Sequence, residues 1–190
     1  MSSSLPPLRI VGLSGSPSNR SRSAWLLQLA LTRLESRALR IDNVPIRELP
    51  PAALLAGDLD DAPLRRALGV VAESDLLVIA TPIYKASASG LLKVFLDLLP
   101  QDGLRGKTVL PLATGGSLAH LLALDWSLRP VLAALGVRHI LDTVYATEAQ
   151  LPPHAAGGYL PDPALLVRLD EALQPLRAPA RTPPVLSPLR

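Results

Sequence analysis

Residues 8–13 read LRIVGL, and residues 15–23 read GSPSNRSRS. A short unbroken apolar run that stops at small residues marks a strand buried on both faces, and therefore a central strand of a parallel sheet. The next stretch, SAWLLQLALTRLES, spaces Trp25, Leu26, Leu29 and Leu34 near a helical period with polar residues between them, and Ser23 stands where an N-cap belongs. Strand, polar loop and helix in that order form the opening unit of a doubly wound α/β fold.

The same alternation continues along the chain. ALRIDNVPI alternates apolar and polar residues as an outer strand does, and Pro50 to Arg66 is a Pro- and Asp-rich connection leading into a weak helix that ends at Glu73. DLLVIAT, residues 75–81, is a third strand, interrupted by Pro82; SASGLLKVFLDLLP is an amphipathic helix ended by Pro100. GKTVLPLAT, residues 106–114, is a fourth strand, followed by Gly115-Gly116 and a helix through HLLALDWSLRPVLAALG. VRHILDTVYAT supplies a fifth strand, and PDPALLVRLDEALQPL a last helix with Pro163 in its first turn. The expected organisation is one domain over residues 1–177 and a Pro-rich tail over 178–190, whose four prolines and missing apolar period predict mobility.

Composition narrows the function. With 190 residues, 48% hydrophobic and 18% charged, the chain fills a core without staples. It has no cysteine, which excludes disulfides, thiolate metal sites and a thiol nucleophile. A pI near 9.7 invites a nucleic-acid reading. The net charge is only +3, however, the arginines are scattered, and six aromatic residues are too few for a stacking platform. His120, His139 and His154 lie on unrelated segments, so no metal site is expected. No signal-peptide pattern opens the chain and no apolar run approaches the ~20 residues that cross a bilayer, so a cytoplasmic location is expected.

In such a sheet the ligand lies beyond the carboxyl ends of the strands, and three loops there carry chemistry. The first holds Ser16, Ser18, Arg20, Ser21, Arg22 and Ser23 at a helix start, where hydroxyls, two guanidiniums and free N–H groups suit a terminal phosphate; a plain polar loop with a serine cap is the alternative. The second, Pro82-Ile83-Tyr84-Lys85, offers a flat apolar wall, or simply a strand exit with one exposed tyrosine. The third, Thr114-Gly115-Gly116, exposes N–H groups to a planar ligand's carbonyls. Together they describe a flavin mononucleotide pocket, which the flavodoxin-like strand order 2-1-3-4-5 holds at its switch point. The dinucleotide fingerprint is absent, and Gly106-Lys107-Thr108 lacks the earlier glycine and following helix of a P-loop.

GSPSNRSRS, TPIYKASASGLLKVFLDLLP and GKTVLPLATGGSLAHLLALDWSLRPVLAALG together resemble the NADPH-dependent FMN reductase family, in particular the reductases of two-component alkanesulfonate monooxygenase systems. The likeness extends from Leu8 to Leu176. It implies a flavodoxin-like fold, FMN and NADPH as cofactors or substrates, a homodimer or homotetramer, and a partner flavin-dependent monooxygenase used in sulfonate sulfur assimilation. It also implies phosphate contacts at Ser16, Ser18, Ser21 and Ser23 assisted by Arg22, and ring contacts at Pro82, Ile83, Tyr84, Lys85, Thr114, Gly115 and Gly116. Relatives carry a tyrosine within a π-bulge at the tetramer interface where this chain has Trp126. The indole is then either a lid over flavin or a packed interface aromatic.

The cofactors supply the chemistry of hydride transfer, so no protein acid or base is required and no catalytic side chain is assigned. Two other readings compete. One is a reductase that retains FMN and passes electrons to a quinone, azo dye or metal oxyanion. The other is a flavodoxin-type electron carrier without NADPH activity, which the basic pI disfavours.

Overall fold

The computed structural model describes residues 6–177; the expected mobile tail at 178–190 lies outside the described residues. Strands β1 (Leu8–Ser14), β2 (Ala38–Pro45), β3 (Leu76–Tyr84), β4 (Ser87–Ala88), β5 (Thr108–Gly115), β6 (His139–Ile140) and β7 (Val144–Thr147) alternate with helices α1 (Arg22–Leu34), α2 (Pro51–Ala56), α3 (Ala62–Glu73), α4 (Gly90–Asp97), α5 (Ala123–Ala134) and α6 (Pro163–Arg177). The parallel sheet runs β2-β1-β3-β5, with β6 and then β7 along the far side of β5. Counting β6 and β7 as one interrupted strand, this is the flavodoxin-like order expected from the sequence.

The two faces follow from the two-residue period of the strands. Val11, Leu13, Leu77 and Ile79 point into a core with α3, α4 and α5. Ile10, Leu76, Val78 and Ala80 point into a second core with α1 and α6. Because both faces are covered, the central strands read as continuous apolar runs.

Several local expectations are corrected. The N-cap of α1 is Ser21, whose Oγ accepts from the Ala24 N–H at 3.1 Å; Ser23 is buried inside the first turn. The connection after Pro50 contains two helices, α3 beginning at Ala62 where the Asp61 carboxylate accepts from the Leu64 N–H at 2.9 Å. Pro82 does not end β3, which continues to Tyr84. The Pro82 nitrogen faces the side on which the Ala80 carbonyl accepts from Gly15, and β1 has already ended there, so no ladder bond is lost. A two-residue turn at Lys85-Ala86 then returns the chain antiparallel as β4.

The expected fifth strand is broken between Ile140 and Val144, and Pro111 in β5 explains why. The Val109 carbonyl accepts from Leu141, so Val109 and, by alternation, Pro111 face this edge. Proline offers no donor to it, and pairing lapses between Val109 and Leu112. No described helix is long and apolar enough to cross a membrane.

Candidate active site

The loop leaving β1 is tied to the exit of β3 through Ser89. The Ser89 hydroxyl donates to the Gly15 carbonyl, its N–H donates to Thr81 Oγ1 at 2.9 Å, and its Oγ accepts from the Leu92 N–H at 3.1 Å as the cap of α4. Gly15 must be glycine here, since a Cβ would come within 2.7 Å of the Leu92 Cβ. Within the loop, Ser16 Oγ accepts from the Ser18 N–H at 3.2 Å and the Ser18 hydroxyl donates to the Arg20 carbonyl at 3.2 Å. The loop is thereby curled above the start of α1, where the N–H groups of Arg22 and Ser23 have no intrahelical acceptor.

These segments enclose a cleft of about 180 Å³ at the carboxyl ends of the strands. Ser16, Ser18, Ser21 and Arg22 line it from the first loop, Pro82, Ile83 and Tyr84 from β3, and Thr114, Gly115 and Gly116 from β5. Two expected residues lie elsewhere. Ser23 is buried behind Ser21, with the two Oγ atoms 3.0 Å apart, so it acts on the cleft only through Ser21. Lys85 sits exposed at the tip of the β3–β4 turn with φ of 49° and does not line the cleft.

Arg20 of the first loop also lines the cleft, and one lining residue was not anticipated, Glu148. Glu148 immediately follows β7, so inspecting the exit of the fifth strand as well as those of the first, third and fourth would have found it. Its N–H donates to the Gly115 carbonyl at 3.0 Å, and its carboxylate lies 3.4 Å from the Arg22 guanidinium. Arg22 also donates through Nε to the Leu151 carbonyl at 3.1 Å and stands 5.3 Å from the centre of the Tyr159 ring. Its cation is therefore held in place, at the start of a helix whose N-terminal dipole adds to it.

The glycine loop rests on Tyr145. The buried Tyr145 hydroxyl donates to the Ser117 carbonyl at 2.7 Å, and it occupies the space a Cβ on Gly115 would need. Burial pushes the Tyr145 pKa above the ordinary tyrosine range, so the group stays a neutral donor. Gly116 has open space around it. The cleft thus combines an anion-holding end rich in hydroxyls and N–H groups with a wall of Pro82, Ile83 and Tyr84 and a bare backbone opposite. That donor set fits a phosphate joined to a planar ring.

Residues 8–151 match the pattern of the NADPH-dependent FMN reductase family. The chain belongs to this family. It is 42% identical over 168 residues to an FMN reductase (NADPH) from Escherichia coli strain K12, covering 88% of this chain and 87% of that one. It is 33% identical over 175 residues to the NADH-dependent FMN reductase SfnF of Pseudomonas putida, covering 90% and 92% respectively. Among solved structures, the apo form of an NADH:FMN oxidoreductase, EMOB, is 43% identical with a TM-score of 0.80, covering 88% of this chain and 87% of that one. Family membership makes the chain an oxidoreductase acting on flavin, with FMN and a reduced nicotinamide dinucleotide as its cofactors or substrates. The relatives divide over the nicotinamide donor at nearly equal identity.

Proposed function

We propose that this chain uses FMN as a substrate, reduces it with a nicotinamide donor in the cleft described above, and hands the reduced flavin to a flavin-dependent monooxygenase in sulfonate sulfur assimilation. What supports the reading is the convergence of three unlike loops on one cleft: a hydroxyl-rich helix start, a flat wall and a glycine turn, in a chain of the FMN reductase family. The partner and pathway rest on the likeness of its motifs to reductases of two-component alkanesulfonate systems.

FMN supplies, when bound, the ring that accepts a hydride from reduced nicotinamide. The chain's own part is binding and orientation. Ser16, Ser18 and Ser21 offer hydroxyls to the flavin phosphate, the free N–H groups of the first turn of α1 add donors, and Arg22 adds charge. Tyr84, Ile83 and Pro82 exclude water from one side of the ring. Gly115 is tied into the ladder with β7, so the backbone of Gly116, in a loop fixed by Tyr145, is what presents a dipole where negative charge develops, with no reorganisation needed as it does so. The cleft carboxylate, Glu148, is paired with Arg22, and hydride transfer leaves it no proton to move.

We also propose a homodimer or homotetramer with Trp126 in its interface. The indole is 81% exposed, with Leu118, Leu121 and Leu122 exposed just before it in sequence. No π turn occurs in α5, but Pro130 cannot donate to the Trp126 carbonyl, so the helix is irregular at this point. Flavin binding to Arg22→Ala tests the cleft. Removing a charge-assisted phosphate contact is expected to raise the FMN dissociation constant roughly tenfold or more, and unchanged FMN affinity contradicts the assignment.

A further inference from the structure

A second and larger cavity, of about 770 Å³, adjoins the flavin cleft and is built from the start of α1 and the loop between β7 and α6. The two hollows share Arg20, Ser21 and Arg22 in their linings, so they meet at the phosphate end of the cleft. The flavin cleft contains Glu148; no carboxylate lines the larger cavity. The Arg20 guanidinium has no hydrogen-bond or ion-pair partner among the described residues, although its backbone carbonyl accepts from Ser18 and Tyr159. His154 Nδ1 accepts from the Ala156 N–H at 3.3 Å, which leaves its other ring nitrogen as the donor.

The opposite wall is aromatic. Trp25 and Tyr159 meet edge to face with centroids 6.2 Å apart, and Arg22 lies over Tyr159. Gly158, with φ of 73°, passes so close to the indole that a Cβ would come within 2.9 Å of Nε1. The tyrosine is held from its far end, its hydroxyl donating to the Arg20 carbonyl at 3.3 Å. A hollow with free cationic and neutral donors, no acid and a rigid aromatic pair suits an anion attached to a flat heterocycle.

We propose that this cavity receives the phosphorylated adenosine end of the nicotinamide dinucleotide, with Arg20 and His154 toward the phosphates and the Trp25–Tyr159 pair toward the adenine. The inference rests on the FMN reductase reading and assigns the half of the donor that does not react. A dinucleotide whose nicotinamide meets the flavin extends well beyond the flavin cleft, and this is the adjoining hollow with matching charge. Binding energy gathered there, away from the reacting atoms, holds the nicotinamide in place.

The test uses the full chain with saturating FMN and adenosine 2′,5′-bisphosphate as probe. The bisphosphate is expected to inhibit competitively against NADPH and to quench tryptophan emission, and Trp25→Phe is expected to abolish the quench while Trp126 continues to emit. His154→Ala is expected to raise the KM for NADPH roughly tenfold with the KM for FMN unchanged, whereas Tyr159→Phe, which keeps the ring under Arg22, retains most of the affinity for NADPH. If NADPH reduces FMN normally but the bisphosphate neither inhibits nor quenches, the cavity assignment is wrong and the reductase reading stands. Competition against FMN instead of NADPH also overturns it, because the cavity then belongs to the flavin. If the chain oxidises neither NADPH nor NADH with FMN, the reductase reading fails, and with it this assignment of the dinucleotide.

Discussion

Gly115 and Tyr145 make a lock in which each residue dictates the other. Gly115→Ala forces a methyl into the tyrosine hydroxyl, so the loop must move, and we expect lower stability together with weaker FMN binding by fluorescence titration. Tyr145→Phe keeps the packing and removes one hydrogen bond, at a cost of about 1 kcal/mol in urea unfolding. A stability change without any change in FMN affinity for both variants contradicts a positioning role for Tyr145. Ser21→Ala removes the α1 cap as well as a cleft hydroxyl, so it is expected to cost about 1 kcal/mol of stability and to raise the KM for FMN. At this scale the lining of the cleft was readable where a residue's place in a strand-exit loop is enough, as for Ser16, Ser18, Tyr84 and Gly116. It was not readable where several candidates share a type. Serines at 16, 18, 21 and 23 all suit a helix start, and only the folded register makes Ser21 the cap and buries Ser23.

Among the elements, the buried strands announced themselves as apolar runs because helices cover both faces of the sheet. The departures come from prolines whose effect depends on which neighbour their nitrogen faces. Pro82 is harmless since β1 has ended beside it, while Pro111 breaks the pairing of β6 and β7. That information is tertiary and no local pattern holds it. The turn between β3 and β4 places both Lys85 and Ala86 at positive φ, 49° and 60°, which suits glycine or asparagine better than alanine. Ala86→Gly is therefore expected to stabilise the protein by up to about 1 kcal/mol, the relief of strain exceeding the added chain entropy of the unfolded state. An unfolding midpoint lower than that of the parent chain contradicts that account of the turn.

For the molecule as a whole, one stabilising contact lies far from the cleft. At the end of the sheet opposite the cleft, the Arg9 guanidinium and backbone N–H both bond the Asp75 carboxylate and hold its pKa below the usual aspartate range. A lowered carboxyl pKa stabilises the fold above the unfolded-state value and ceases to do so as pH falls through the folded value. Asp75→Asn is thus expected to lower the urea midpoint at neutral pH and to match the parent chain in strong acid; an equal deficit at both pH values contradicts the linkage. Trp126→Ala is expected to shift sedimentation toward smaller species, and unchanged sedimentation removes Trp126 from the proposed interface. The central claim, that FMN is turned over as a substrate, is tested most directly by steady-state NADPH oxidation with and without added FMN, on protein whose bound flavin has been quantified. The account predicts turnover that requires added FMN and saturates with its concentration. Turnover that ignores added FMN and depends instead on a quinone or dye, with flavin already bound, would contradict it.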